Sequence, residues 1–168
     1  MQDSRLMIPH RIEQTKDRLV VGMKAKMSFQ TIQQETGILA RQFMPRRKEV
    51  SLRIGTHVFS IQDYGKLLMK DLTSQTEFEK WVGVEVSNFD NVPKGMETFV
   101  LKAGMYAVFT YKGAMQVVSK FRQFIFQDWL PNSNYQLDAR AHFEILPENY
   151  SKDLYSTEED IWIPIREK

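Results

Sequence analysis

Cysteine is absent from all 168 positions of this chain. Disulfides, thiol nucleophiles and cysteine-based metal sites are therefore excluded, and the composition fits a reducing compartment. A dominant charge is also missing. The 23 Lys and Arg residues nearly balance the 21 Asp and Glu, leaving a formal net charge of +2, too weak a field to draw the protein onto nucleic acid or an anionic membrane. No apolar run approaches the roughly 20 residues of a membrane-spanning helix. The opening MQDSRLMIPHRIEQ lacks the apolar segment of a secretory signal. The eight glycines form neither GxGxxG nor a phosphate-cradling loop, and there is no GxSxG elbow. His10, His57 and His142 are scattered without the spacing of metal ligands. The expectation is one cytoplasmic domain over residues 1–168, with no cofactor, no metal, no membrane contact and no direct nucleic-acid binding.

What is present is an ordinary globular mixture, 42% hydrophobic and 26% charged. Residues 17–28, DRLVVGMKAKMS, read as a strand. In TIQQETGILARQFM, Thr31 and Gln34 have the spacing of a capping box, and Ile32, Leu39, Ala40 and Phe43 recur at helical intervals. Pro45 stops or kinks that helix. Residues 56–65 and 77–89 read as two further strands, with DNVPKGM as turn chemistry after them. The order then recurs. METFVLKAGMYAVFTYKG is strand material broken at Gly104. AMQVVSKFRQFIFQDWLP is an amphipathic helix carrying Val117, Val118, Phe121, Phe124, Ile125 and Trp129, with Trp129 as its anchor in the core. ARAHFEIL and EDIWIPIR supply the last two strands. Both halves read strand, helix, strand, strand, which predicts an antiparallel-rich α+β fold with a helix on each sheet.

Alternation puts Val82, Val84 and Val86 on one face of their strand and Trp81, Gly83 and Glu85 on the other. In DARAHFEILPENY, Phe143 and Ile145 flank Glu144 in the same way. If the valine face and the Phe143/Ile145 face cover the helices, the opposite face carries Trp81, Glu85, Glu144 and Trp162. A carboxylate beside two tryptophans points to a cleft rather than a wetted surface. Glu85 reads as a rim or surface residue and His142 as a surface histidine. The RRK cluster at 46–48, with Arg53, reads as a solvated turn.

In order, WVGVEV, VPKGMETFVLKAGMYAVFTYKG, DWLPNSNY, AHFEIL and IWIPI resemble the gyrase-inhibitor-like effector-binding superfamily. Its domains are appended to AraC-type and multidrug-sensing regulators and also stand alone. RLVVGMKAKMS and QFMPRRKEV fit its first repeat, so the likeness spans roughly residues 8–166. The resemblance implies duplicated β-α-β-β repeats, about 8–90 and 96–166, related by pseudo-twofold symmetry around a central ligand cleft. It also implies that Glu144 lies in that cleft, with Trp81, Trp162 and Tyr106 as ring partners.

Two activities and one interaction follow as expectations. The first is a stand-alone small-molecule receptor for amphipathic cationic or aromatic compounds, acting with a transcription regulator or by sequestration. Buried charge seeks a cation, and rings add cation–π attraction. The second is a hydrolase of reactive electrophiles with Glu144 as general base and Tyr106 as its partner. Leu146 and Pro147 stand where the hydrolase branch continues with a longer polar motif, so the receptor ranks first. The third is a modulator of DNA gyrase, as the superfamily's name suggests.

Overall fold

A computed structural model describes residues 10–114, 117–149 and 157–168. Residues 8 and 9 of the first expected repeat, Met115 and Gln116 of the second expected helix, and the YSKD stretch after Asn149 lie outside these. The elements run β1 (His10–Thr15), β2 (Arg18–Met27), α1 (Ile32–Phe43), β3 (Val58–Asp63), β4 (Phe78–Val86), β5 (Glu97–Leu101), β6 (Gly104–Gly113), α2 (Val118–Phe124), β7 (Tyr135–Leu137), β8 (His142–Leu146) and β9 (Thr157–Glu167). The fold is α+β, as the strand and helix periodicities indicate. The β3–β8 pair joins the strands of both halves into one nine-stranded sheet, ordered β1-β6-β9-β8-β3-β4-β2-β5, with β7 on β9. Every strand pairing among the described residues is antiparallel. Read outward from the β3–β8 seam, one side runs β3-β4-β2 and the other β8-β9-β6. The two β-α-β-β sets thus hold equivalent places.

β1 and β7 were not legible in the pattern. HRIEQT is largely exposed and YQL is three residues long, so neither offers enough buried alternation to register as a strand. Gly22 and Gly83 face each other across β2 and β4. A Cβ on Gly83 would sit 2.7 Å from the Val21 carbonyl oxygen, and one on Gly22 would collide with the Val82 carbonyl oxygen. The two strands approach this closely because neither residue has a side chain.

α1 buries Leu39 and Phe43 against Val21, Val82, Val84 and Val86. The Thr31–Gln34 capping box does not form. Thr31 has helical dihedrals, and its hydroxyl oxygen accepts from the Ser28 backbone N–H at 3.1 Å, reaching away from the helix instead of capping it. After Phe43 the chain tightens into a 3₁₀ segment, Met44–Glu49, with Pro45 at its start, where a missing N–H is harmless. α2 widens into a π-helical turn at Ile125–Trp129, closed by the Leu130 N–H on the Ile125 carbonyl at 2.8 Å. The wider turn lets the consecutive Phe124 and Ile125 both be buried. Ile125 packs with Phe109, Tyr111, Ile161, Ile163 and Ile165, and Phe121 and Trp129 lie against the same cluster. Trp129 anchors this end as expected, with its ring 4.9 Å from that of Phe109. Val117, expected on the apolar side, is exposed instead, because the helix begins only at Val118.

Candidate functional site

Strand register decides which residues meet. Ser60 of β3 pairs with Val82 on one side and Glu144 on the other, and Glu144 pairs onward with Ile161 and Ile161 with Phe109. Directly opposed residues share a face, so Glu144 belongs with Val82 on the face that carries both helices. The adjacent row is Lys24, Trp81, Ile61, Phe143, Trp162, Val108 and Arg11, on the face without helices. The expected grouping of Glu144 with Trp81 and Trp162 is therefore corrected. The valine face of β4 continues the Glu144 face of β8, while Phe143 and Ile145 continue the tryptophan face. Alternation within a strand shows which of its residues point together. It does not show which face of the neighbouring strand they join.

Trp81, Trp162 and Tyr106 lie together, but in a packed cluster away from Glu144. They are buried with Phe59, Ile61, Val108 and Phe143. Tyr106 meets Phe143 and Trp162 edge-on at 5.3 and 5.7 Å, and Phe143 stacks on Trp162 at 5.2 Å. Cations cover this face: Arg18 lies 4.8 Å over Trp162, Lys24 5.5 Å over Trp81 and Arg140 4.5 Å over Tyr106. Glu85 is partly buried on the same face, 4.0 Å from Arg18.

On the helix-bearing face, Glu144 is 4% exposed and sits in a polar cluster assembled from five elements. The Gln62 amide of β3 donates to its Oε1 at 2.9 Å. Arg122 Nη2 of α2 reaches the same oxygen at 3.1 Å and also donates to Glu159 Oε1 of β9 at 3.1 Å. Lys80 Nζ of β4 lies 3.8 Å from Glu144 Oε1. Among the described residues, Glu144 Oε2 and Gln62 Oε1 are both buried without a hydrogen-bond partner. Burial pushes the Glu144 carboxyl upward, but the Arg122 and Lys80 cations and the Gln62 amide outweigh it and hold the group below its usual range. Burial depresses the Lys80 ammonium despite the neighbouring carboxylate. Burial also raises Glu159, Arg122 only partly opposing it.

Rings border this cluster. Tyr64 lies 4.9 Å from Phe78 and edge-on to His142 at 5.1 Å. Phe29 stands 5.1 Å from Phe78 and Phe126 stands 6.0 Å from His142. His142, expected at the surface, is buried, because it opposes Gln62 in the β3–β8 pair and is covered by Tyr64 and Phe126. Burial lowers its pKa to about 4.

Lys80, Gln62, Tyr64, Arg122 and Glu159 escaped the sequence reading. Lys80 carried a usable signal, since it alternates with Phe78 and Val82 on an apolar stripe where a lysine is rare without a partner. Arg122 and Glu159 gave none, because their meeting depends on how α2 crosses the sheet. Neither of two surface clefts touches Glu144. One, about 220 Å³, is lined by Ala25, Lys26, Glu35, Ile38, Leu39 and Gln42. The other, about 630 Å³, includes Arg47, His57 and Glu148. Of the RRK turn, Arg47 is tied to Glu148 at 2.7 Å and Arg46 to Glu49 at 2.8 Å.

The Glu144–Tyr106 pairing that a hydrolase would require is not formed, since the two residues occupy opposite faces of the sheet. The arrangement is suited to holding charge: an acidic group inside a ring-walled layer, with cations already drawn to it.

Comparison with known proteins agrees with this fold. The transcriptional regulator BrlR of Pseudomonas aeruginosa is 30% identical over 130 residues, which cover 77% of this chain and 46% of the relative. The matched segment is thus less than half the length of that regulator. An integron cassette protein of Vibrio cholerae superposes with a TM-score of 0.64 at 15% identity, covering 94% of this chain and 95% of its own. SAV2435, solved bound to tetraphenylphosphonium, superposes with a TM-score of 0.67 at 15% identity, covering 95% and 94%. These two likenesses concern the fold. A family model matches residues 11–165, nearly the whole sequence. The chain belongs to the Cass2 family of integron-associated effector-binding proteins.

Proposed function

We propose that this chain is a receptor for amphipathic cationic or aromatic small molecules, linked to transcription regulation, with Glu144 as the charge partner of the ligand. The observation that carries this reading is the Glu144 carboxylate itself. It is buried, one of its oxygens has no partner among the described residues, and Tyr64, Phe78, His142 and Phe126 stand around its cluster. A cation meeting that oxygen gains charge attraction in a poorly solvated setting, and flat rings add roughly 0.5–2 kcal/mol each. In this reading the ring-lining role passes from Trp81, Trp162 and Tyr106 to Tyr64, Phe78, Phe126 and the exposed Phe29. A bound ligand and a regulator named among the relatives support the same direction.

The test is calorimetric titration of a panel of aromatic cations into wild type and Glu144→Gln. Saturable one-to-one heats are expected for members of the panel, weakened at least tenfold in the variant. Heats that are identical in the two proteins would remove Glu144 from the role. Calorimetry is preferred to indole quenching because Trp81 and Trp162 lie on the opposite face.

A further inference from the structure

Three features of the Glu144 cluster specify the ligand more narrowly than charge. The two buried atoms without partners, Glu144 Oε2 and Gln62 Oε1, are both acceptors. Gln62 cannot be turned round to change this, because its amide nitrogen is the atom that donates to Glu144, and an oxygen there would face a carboxylate. The cluster also has an internal occupant. One nitrogen of Arg122 spans Glu144 and Glu159 at 3.1 Å each. Finally, Arg122 is the member free to leave. Its side chain is 28% exposed, against 4% for Lys80 and 6% for Glu144, and it projects from α2 one turn before the π-helical segment.

We infer that the site selects cations bearing N–H donors, such as amidinium, guanidinium or primary ammonium groups, over fully alkylated onium ions, and that the ligand takes over the Glu144–Glu159 bridge as Arg122 swings out. This rests on the receptor reading above. When Arg122 withdraws, Glu144 and Glu159 face Lys80 alone, one negative charge in excess, which a monocation neutralises. An onium ion supplies that charge but no hydrogen. It leaves Glu144 Oε2, Gln62 Oε1 and the Glu159 oxygen that Arg122 had held without a donor, a penalty that distinguishes isosteres strongly at buried polar sites. An amidinium replaces the lost Arg122 contact with one N–H and offers others to the orphaned oxygens.

A matched pair of probes tests this: 4-phenylbenzamidinium and biphenyl-4-yl-trimethylammonium, similar in size and charge, only the first carrying N–H groups. Calorimetry on wild type is expected to show the amidinium binding at least tenfold more tightly. Glu159→Gln removes the excess negative charge for either probe and a hydrogen-bond acceptor for the amidinium alone, so it should weaken both and the amidinium by a several-fold larger factor. Arg122→Met, which keeps the aliphatic stem against the helix, should tighten both by removing the internal competitor. Circular dichroism melts confirm that each variant is folded. Equal affinities in wild type, lost together in Glu144→Gln, would leave the receptor standing and overturn the N–H requirement. An Arg122→Met variant that binds neither probe more tightly would overturn the displacement. Failure of both probes to bind wild type and Arg122→Met removes the receptor itself.

Discussion

The two faces of the sheet solve opposite problems with the same residue types. On the face without helices, aromatic rings are the buried core and cations lie over them, Arg18 on Trp162 and Lys24 on Trp81. On the helix-bearing face, charges are the buried element and rings border them, Tyr64 and Phe126 against His142 beside Glu144 and Lys80. Among the described residues both arrangements leave buried polar atoms unpaired, and the atoms differ in kind. On the first face they are donors, the Trp81 and Trp162 indole N–H groups and Arg140 Nη1, which a cation cannot satisfy. On the second they are carboxylate and amide oxygens, and low local dielectric makes such a shortfall costly. A face short of acceptors has no use for a cation, and a face short of donors is where one has something to supply.

The largest effect separating the faces should come from Phe143→Ala. Phe143 is 1% exposed and stacks between Phe59 and Trp162, so its loss should cost about 3–5 kcal/mol of stability in urea unfolding. Its neighbour Glu144 points the other way. Should Phe143→Ala prove nearly neutral, the aromatic face is not the core it is described as.

An intermediate effect comes from acid on the helix-bearing face. His142 is neutral when folded, its pKa lowered to about 4 by burial, with Glu144 opposing and Arg122 and Arg140 assisting. In the unfolded chain it titrates near 6.5. Between these values the unfolded state binds more protons, so stability falls as pH drops from about 6.5 to 4, by up to roughly 3 kcal/mol. Glu144, held below its usual range, adds a loss of the same sign at lower pH. Urea midpoints at pH 7 and pH 4.5 should show this decline in wild type and a much smaller one in His142→Phe. Equal slopes would contradict the burial of His142.

The smallest effect should be Trp162→Phe. Trimming a ring in the cation-covered face is expected to cost about 1 kcal/mol of stability and to leave the affinity for aromatic cations within twofold of wild type. A tenfold loss of affinity would place the ligand on the other face, and the comparison would reverse.

Much of this was legible in the residues. The Val82–Val86 alternation gave β4, the AHFEIL run gave β8, and the recurring order gave the α+β class, because burial on one side of a strand writes itself into period two. Glu144 stood out as an acidic residue between two apolar ones. Its companions did not. Lys80 lies 64 positions away, and Arg122 reaches Glu144 only because α2 packs over the β6 side of the sheet and the long side chain extends from there to β8. Trp81 and Trp162 take the helix-free face that alternation implies, whereas Glu144 does not join them, because register sets the facing of β8 relative to β4.

The sequence alone determined that this chain makes an α+β fold with strands buried on alternate residues, and that one of those strands carries an acid at its centre. Tertiary structure decided which face received that acid, that Arg122 and Lys80 meet it there, and that Tyr106 does not. The physical reason is the pleat. Parity along a strand is local and written in the residues, whereas the parity of one strand relative to the next is fixed by hydrogen-bond register, and a shift of one residue would exchange every side chain between the faces.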